Sequence, residues 1–373
     1  MRILVLSIEY PPLGGGASPI THEINRHYIM AGHQVDVVTM GFGNLPAHEL
    51  VDGINVHRIP SRRAQMHMSH PGEHLRFLWG AKKFLTKFLS CEKFDVCHTH
   101  FIIPTGLLSM WVKLKFDIPY IITAHGSDVP GFNPDRFQWL HTLTPPLIRG
   151  IIRTVDGIAV PSQFLSSLIS KVDKHAPRKI TLIPNGIDTE IFRPTDKKPI
   201  ILSTGRLLER KGFHHIIDAI ADADIGYEFH IAGDGPMRET LEQKASASKT
   251  KIVFHGWMDN RDEQYRKLIN GASIFCLMSS HENASNSLLE AMASGCAMIT
   301  SNTSGCPETV GSAGICLPPG DKHSLNQELR KLINNDEKRL SLMKMARSEA
   351  VDRYHWSLIS TQYLSLLQTV ANK

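Results

Sequence analysis

The 373-residue chain is 42% hydrophobic and 21% charged with a net charge of +5, the balance of an ordinary soluble protein. No apolar run approaches the ~20 residues of a bilayer span. The opening RILVLSI, closed at once by Glu9 and a Pro pair, is too short for a secretory signal and reads as the first strand of a cytoplasmic protein. Six cysteines without a C-x-x-C spacing suggest neither a disulfide framework nor a zinc site.

This length exceeds what one core usually supports, so two domains are expected. β-Branched runs at 2–8, 34–40, 54–59, 95–99, 119–123 and 156–160 are followed by a second series at 199–203, 227–232, 251–255, 273–277, 298–302 and 314–316. Amphipathic stretches separate most of them, which predicts α/β architecture: two doubly wound, Rossmann-like domains with parallel sheets. The segment ITLIPNGIDTEIFRPTDKK, residues 180–198, has two prolines, an Asn-Gly pair and little periodicity, and marks the boundary. We read residues 1–182 as one domain, 183–353 as the second and 354–373 as a terminal helix. A ligand is then expected in the cleft between the domains, at the carboxyl ends of the strands.

Charge is uneven. Residues 1–180 carry 19 Lys and Arg against 13 Asp and Glu, and residues 181–373 carry 22 against 23. The basic half suits an anionic membrane or an anionic substrate, and nothing else in the chain supports nucleic acid.

Along the chain, the first β–α turn is IEYPPLGGGASPITHEI, where Gly14, Gly15 and Gly16 let backbone approach a phosphate or a sugar, or merely turn the chain. The spacing is not the G-x-G-x-x-G of a dinucleotide site. Residues 74–94 form a basic amphipathic helix in which Phe77, Ala81, Phe84, Leu85 and Phe88 share one side and Arg76, Lys83 and Lys87 lie opposite. The apolar side is either a core face or, with Arg62, Arg63, Lys82 and Trp79, part of a peripheral membrane contact. In YIITAHGSDVPG, His125 ends a strand where α/β enzymes keep reactive groups, and Asp128 either orients it or caps the turn. The other histidines lack that setting.

In the second half, IILSTGRLLERKG places Arg206 and Lys211 after a strand and before a helix, a pairing suited to a diphosphate. The turn IVFHGWMDN brings Gly256, Trp257 and Met258 to a place where backbone reads a base edge, although Trp257 reads better as packing. Finally, HENASNSLLEAMASG sets Glu282 in a loop and Glu290 in the first turn of a helix, flanking Asn283, Ala284, Ser285 and Asn286. The same residues also read as a plain helix: a Ser287-x-x-Glu290 capping box, a buried stripe and a Gly295 stop.

With GGG, HGSD, GRLLERKG, AGDGP and ENASNSLLEAMASG in order, together with IPNGID and RYHWS, the chain resembles the retaining GT-B-fold glycosyltransferases of family four, glycosyl transferases group 1. The resemblance implies that Glu282 and Glu290 are the family's Glu-x7-Glu pair. Glu282 would bind donor-sugar hydroxyls and Glu290 the nucleotide ribose, while the backbone of 283–285 meets the sugar. It further implies that Arg206 and Lys211 hold the diphosphate, that Gly15 and Gly16 touch phosphate or acceptor, and that His125 sits by the reacting centre. The terminal helix would cross back onto the first domain. One departure stands out: Asn283-Ala284-Ser285 replaces the Gly-Phe-Gly of many relatives.

The implied activity is metal-independent, retaining transfer of a sugar from a nucleotide diphosphate sugar to a hydroxyl of a glycan, lipid-linked or small-molecule acceptor in surface polysaccharide or glycolipid synthesis. The implied donor is a UDP-sugar, ahead of GDP-mannose. No cofactor is implied beyond that co-substrate. A non-catalytic nucleotide-sugar- or glycan-binding protein and a GT-B-fold nucleotide-sugar epimerase are the alternatives. The place implied is the cytoplasm, with membrane contact at its inner face.

Overall fold

The computed structural model describes residues 1–132 and 144–372, in two compact units: Met1–Pro184 with Ser357–Lys373, and Asn185–Trp356. The first unit is built on an eight-stranded sheet in the order β3-β4-β2-β1-β5-β6-β7-β8. Its strands are β1 (Arg2–Leu6), β2 (Gln34–Met40), β3 (His48–Val51), β4 (Ile54–Ile59), β5 (Val96–His100), β6 (Tyr120–Thr123), β7 (Gly157–Val160) and β8 (Ile180–Leu182). All pairings are parallel except β3 with β4, a hairpin closed at Asp52 (φ 51°) and Gly53 (φ 81°). Two positive φ values in succession give the tight turn whose twist matches the strands, and Asp-Gly is the pair that favours it. Neither β3 nor β8 is among the strands expected from sequence, and β8 falls within the expected boundary segment.

Around this sheet lie α1 (Ala17–Met30), α2 (Pro71–Cys91), α3 (Thr105–Phe116), α4 (Pro145–Thr154) and α5 (Gln163–Val172). The core joins Leu4, Leu6 and Val38 of the sheet to Phe77, Ala81 and Leu85 of α2 and Leu108 and Val112 of α3. Exposed on α2 are Leu75 and Trp79, with Arg76, Lys82, Lys83 and Lys87. Arg63, read from sequence as a surface cation, is instead buried, and its guanidinium donates to the carbonyls of Ile8, Gln65 and Met66.

The second unit has a six-stranded, wholly parallel sheet in the order β11-β10-β9-β12-β13-β14. Its strands are β9 (Lys198–Thr204), β10 (Glu228–Ala232), β11 (Ile252–Gly256), β12 (Ala272–Leu277), β13 (Ala297–Ser301) and β14 (Gly314–Leu317). Central β12 is buried at every position, as expected of a parallel strand covered on both faces. One face carries α6 (Phe213–Ile220), α7 (Arg238–Ala245) and α11 (Lys322–Asn334); the other carries α8 (Glu263–Gly271), α9 (Asn286–Ala293) and α12 (Asp336–Tyr354). The short α10 (Cys306–Val310) follows β13.

In each unit the strand order reverses once, between β1 and β5 in the first and between β9 and β12 in the second. Such switch points open a crevice at the carboxyl ends of the strands, where α/β proteins bind ligands. The unit limits differ from 182 and 353. Ile183 still donates to Val160 O (2.9 Å), so the chain leaves the first sheet two residues later. Tyr354 stays in the second unit because its hydroxyl donates to Thr309 O (3.0 Å). Helix α13 (Trp356–Ala371) begins with Trp356 packed on Gly186 and continues in the first unit, where Tyr363 and Leu367 are buried.

Candidate active site

At the second unit's switch point, β9 ends at Thr204 and the chain turns through Gly205, exposed Arg206 and a single 3-10 turn, Glu209–Lys211, into α6. Gly212, at φ 73°, makes this turn possible: a Cβ there would lie 2.1 Å from Met278 O. The close approach stitches the turn to the loop after β12, where Ser280 N donates to Arg210 O (2.8 Å) and Ser279 Oγ to the same carbonyl (3.0 Å). Across this seam Lys211 Nζ forms an ion pair with Glu282 Oε1, both side chains being largely buried. Diphosphate candidate and sugar candidate, 71 residues apart in sequence, therefore touch.

Glu290 is the fifth residue of α9, not a first-turn residue, and the capping box read into Ser287 and Glu290 is not formed. The N-cap is Ser285, without a side-chain cap bond, and Glu290 is turned inward. Tyr265 Oη donates to Glu290 Oε2 (2.5 Å) and Asn260 Nδ2 to Oε1 (3.1 Å), while the tyrosine oxygen also lies 3.3 Å from Thr204 Oγ1. Burial raises the pKa of Glu290, and the two donors oppose the shift. Burial first, and the carboxylate second, push the Tyr265 phenol well above its ordinary value, so the proton stays on Tyr265 as the donor. The stop at Gly295 (φ 66°) is a Schellman motif, with Cys296 N bonded to Ala291 O (3.0 Å) and Gly295 N to Met292 O (2.9 Å).

The remaining candidates of this unit spread around the same strand ends. Gly256 closes β11 at φ 72°, and its carbonyl accepts from Gly233 N (2.7 Å). Met258 packs against the core, whereas Trp257 is 64% exposed, which overturns its reading as packing.

In the first unit the glycine turn carries a carboxylate of its own chain. Gly15 N donates to Glu9 Oε2 (3.0 Å), and Gly16 is the N-cap of α1. An acidic side chain at a helix start suits the dipole there, and it occupies a backbone N–H read from sequence as a contact for phosphate or acceptor. His125 follows β6, and its Nε2 is joined to Nδ1 of His100, at the end of β5, at 3.0 Å. Behind them His98 bonds Tyr28 Oη (3.0 Å) and Thr123 Oγ1 (2.8 Å), and its ring lies 4.4 Å from that of His100.

Burial lowers the pKa of His98 and of His125 to about 3 and that of His100 well below its ordinary value, so all three rings are neutral. His100 Nε2 is buried without a partner, which favours the tautomer protonated at Nδ1 and donating to His125. Asp128 caps the turn: Oδ1 accepts from the backbone N of His125 (3.0 Å) and Gly126 (2.9 Å), and Oδ2 from Ile102 N (2.6 Å). Among the described residues no group of three or more His, Cys, Asp and Glu could hold a metal ion.

Residues 187–349 match the family Glycosyl transferases group 1, and residues 14–191 match Glycosyltransferase Family 4. The chain belongs to the GT-B glycosyltransferases. An uncharacterised glycosyltransferase of Methanocaldococcus jannaschii is 25% identical over 98% of this chain and 97% of its own length. Among solved structures, sucrose-phosphate synthase from Thermosynechococcus elongatus is similar at a TM-score of 0.83 and 20% identity, covering 99% of this chain and 98% of its own. The Anabaena protein HepE, solved with UDP-glucose, is similar at a TM-score of 0.77 and 17% identity, covering 99% of this chain and 100% of its own.

The sequence motifs of this glycosyltransferase do not single out Tyr265 and Asn260 at Glu290, Glu9 in the glycine turn, or His98 and His100. The histidines corrected the most: His98-Thr99-His100 has the period-two spacing that puts both rings on one face of a strand, and that was the available signal. Tyr265 lies mid-helix in a segment without a motif, so only tertiary packing reveals it.

Two outcomes are expected. Tyr265→Phe removes a bond to a buried carboxylate and destabilises the second unit by about 1–3 kcal/mol, read as a lower urea midpoint. The depressed histidines favour the native state while they stay neutral, so the unfolded chain takes up protons first as pH falls below about 6.5. Their contribution is complete above that pH and drains away towards about 3, the folded value of His98 and His125. The melting temperature of His98→Gln should therefore fall less steeply than that of the unaltered protein between those limits.

Proposed function

We propose that this glycosyltransferase moves a sugar, with retention of anomeric configuration, from a UDP-sugar to a hydroxyl acceptor in the synthesis of a glycan or glycolipid. The observation that carries the reading is the Lys211–Glu282 pair at the β9/β12 switch point, with Arg206 on the same turn. Lys211 and Arg206 hold the diphosphate. As the bond from the anomeric carbon to the phosphate oxygen breaks, negative charge builds on the departing nucleotide, and cations already in place stabilise that state more than the ground state. These two cations fill the role that a divalent metal would otherwise have.

Glu282, released from Lys211 as the diphosphate takes the ammonium, accepts hydroxyls of the sugar. Glu290, with each carboxylate oxygen fixed by one protein donor, keeps a second lone pair on each for the ribose hydroxyls. The turn at Gly256–Met258 reads the base, and exposed Trp257 offers it a ring face. His125, in the first unit, would act as a neutral hydrogen-bonding group, since burial keeps it from carrying a proton at neutral pH. Retention follows from attack on the face the nucleotide leaves, with the departing phosphate taking the acceptor's proton. The Anabaena protein HepE, of similar fold, was solved with UDP-glucose, which is in keeping with a uridine nucleotide.

The exposed face of α2 supports the acceptor side of this reading. Leu75 is 69% and Trp79 75% exposed among Arg76, Lys82, Lys83 and Lys87, and α3 adds Leu114 at 73% beside Lys115. Lys82 and Lys115 both sit over the Trp111 ring, at 5.4 and 5.5 Å, so the two helices share one cationic, aromatic surface. It suits the headgroup region of an anionic bilayer. No described helix is long and apolar enough to cross one.

The Arg206→Ala, Lys211→Ala double variant should lose ~10²-fold or more in turnover, measured as UDP release from UDP-sugar with acceptor; unaltered turnover would refute the diphosphate assignment. The unaltered protein should sediment with phosphatidylglycerol vesicles at low salt and be released at high salt, and Trp79→Ala should weaken that binding. Failure to sediment at low salt would remove the membrane contact.

A further inference from the structure

Two motifs of the chain, IPNGID at 183–188 and RYHWS at 353–357, have no part in the site as described, yet they meet. Ile187 N donates to Tyr354 O at 2.7 Å, and Ile187 pairs with His355 as an isolated parallel bridge. Trp356 packs flat on Gly186, where a Cβ would lie 2.3 Å from the ring. Asn185, next to Gly186, is thereby held in place. Asn185 Nδ2 donates to Ala284 O (3.1 Å) and to Asn286 Oδ1 (3.0 Å).

The loop is gripped from its other side as well. Gly305 N donates to Glu282 O at 2.9 Å, and a Cβ on residue 305 would lie 1.6 Å from Asn283 O, so backbone meets backbone with no room for a side chain. Gly305 leads into α10, and at the far end of α10 the carbonyl of Thr309 accepts the hydroxyl of Tyr354. Both jaws of the clasp therefore hang on Tyr354: the Asn185 jaw through its carbonyl, the Gly305 jaw through its phenol. Tyr354 is 3% exposed, which makes it a fixed anchor.

We propose that Asn185 is a positioning residue for the sugar end of the donor, setting the backbone of 283–285 through a clasp anchored on Tyr354. The inference rests on the donor-site reading given above and deepens it. The segment Asn283-Ala284-Ser285 contains no glycine, and a loop without glycine holds its carbonyls and amides where neighbours pin them. The Nδ2 amide satisfies one loop carbonyl and one side-chain oxygen at once, so its loss frees the segment facing the sugar while leaving Lys211, Arg206 and Glu290 untouched. Sugar discrimination, rather than nucleotide affinity, is the property this contact controls.

The test is calorimetric titration of the full chain with UDP, UDP-glucose, GDP and GDP-mannose, for the unaltered protein, Asn185→Ala, Gly186→Ala and Asn286→Ala. Gly186→Ala shifts Asn185 without changing it, and Asn286→Ala removes one acceptor from the opposite side, so a variant that fails to fold does not decide the result. Expected is a loss of about tenfold in affinity for the nucleotide sugar, with the matching nucleoside diphosphate bound within about twofold of the unaltered protein. In turnover the donor KM should rise while kcat changes less. Asn185→Ala combined with Asn286→Ala should be little worse than Asn185→Ala alone, since the two share a contact. Equal losses for nucleotide and nucleotide sugar, or no loss, would overturn the inference while leaving the donor site standing. Failure of the unaltered protein to bind any of the four would overturn the donor-site reading itself.

Discussion

The seam between the β9–α6 turn and the loop after β12 is the constraint on which the candidate donor site depends. It exists because Gly212 has no Cβ to strike Met278 O, and it lets Arg210 O accept from both Ser279 and Ser280. Only with backbone this close can Lys211 reach Glu282. A largely buried carboxylate left without its cation would cost about 3–5 kcal/mol, so the pair also holds the loop shut. The arrangement puts a cation and a carboxylate in contact, each neutralising the other, and the proposed diphosphate would compete for the ammonium.

Much of the fold was legible because parallel α/β sheets write themselves as apolar runs. Ala272–Leu277 is buried at every position, and its residues are those of a strand covered on both faces. What escaped were the edges. Strand β3 alternates exposed and half-buried residues and rests on one hairpin, so only the Asp52-Gly53 pair announces it. Strand β8 ends in the exposed residues Thr181 and Leu182 and sits beside a boundary, where loss of periodicity reads as linker.

The candidate site was legible where chemistry clusters in sequence and opaque where it does not. Glu282 and Glu290 stand in one segment with Arg206 and Lys211 in another, and the turns that carry them are glycine-marked. The helix reading of 281–295 failed in an informative way: Ser287-x-x-Glu290 has the capping-box spacing, but the helix already begins at Asn286, and Glu290 lies one turn in, facing Tyr265. Spacing alone cannot tell a carboxylate that reaches back to cap from one that points inward to bind. Trp257 erred in the other direction, since a large ring in a core-forming strand series ordinarily packs, and here it is exposed at a turn.

Bulk charge misdirects in the same way. The excess of cations belongs to the amino-terminal half, where it lies on the exposed face of α2 and α3, while the histidines at the ends of β5 and β6 are kept neutral by burial. Arg206 and Lys211 belong to a half whose acids slightly outnumber its bases. Two cations at a fixed spacing are enough to engage a phosphate, and a counter-charge such as Glu282 beside them cancels net charge. The sign of a domain therefore describes the surfaces it presents over a Debye length, and the groups that would stabilise a departing diphosphate are found by following strand ends to the point where their order reverses.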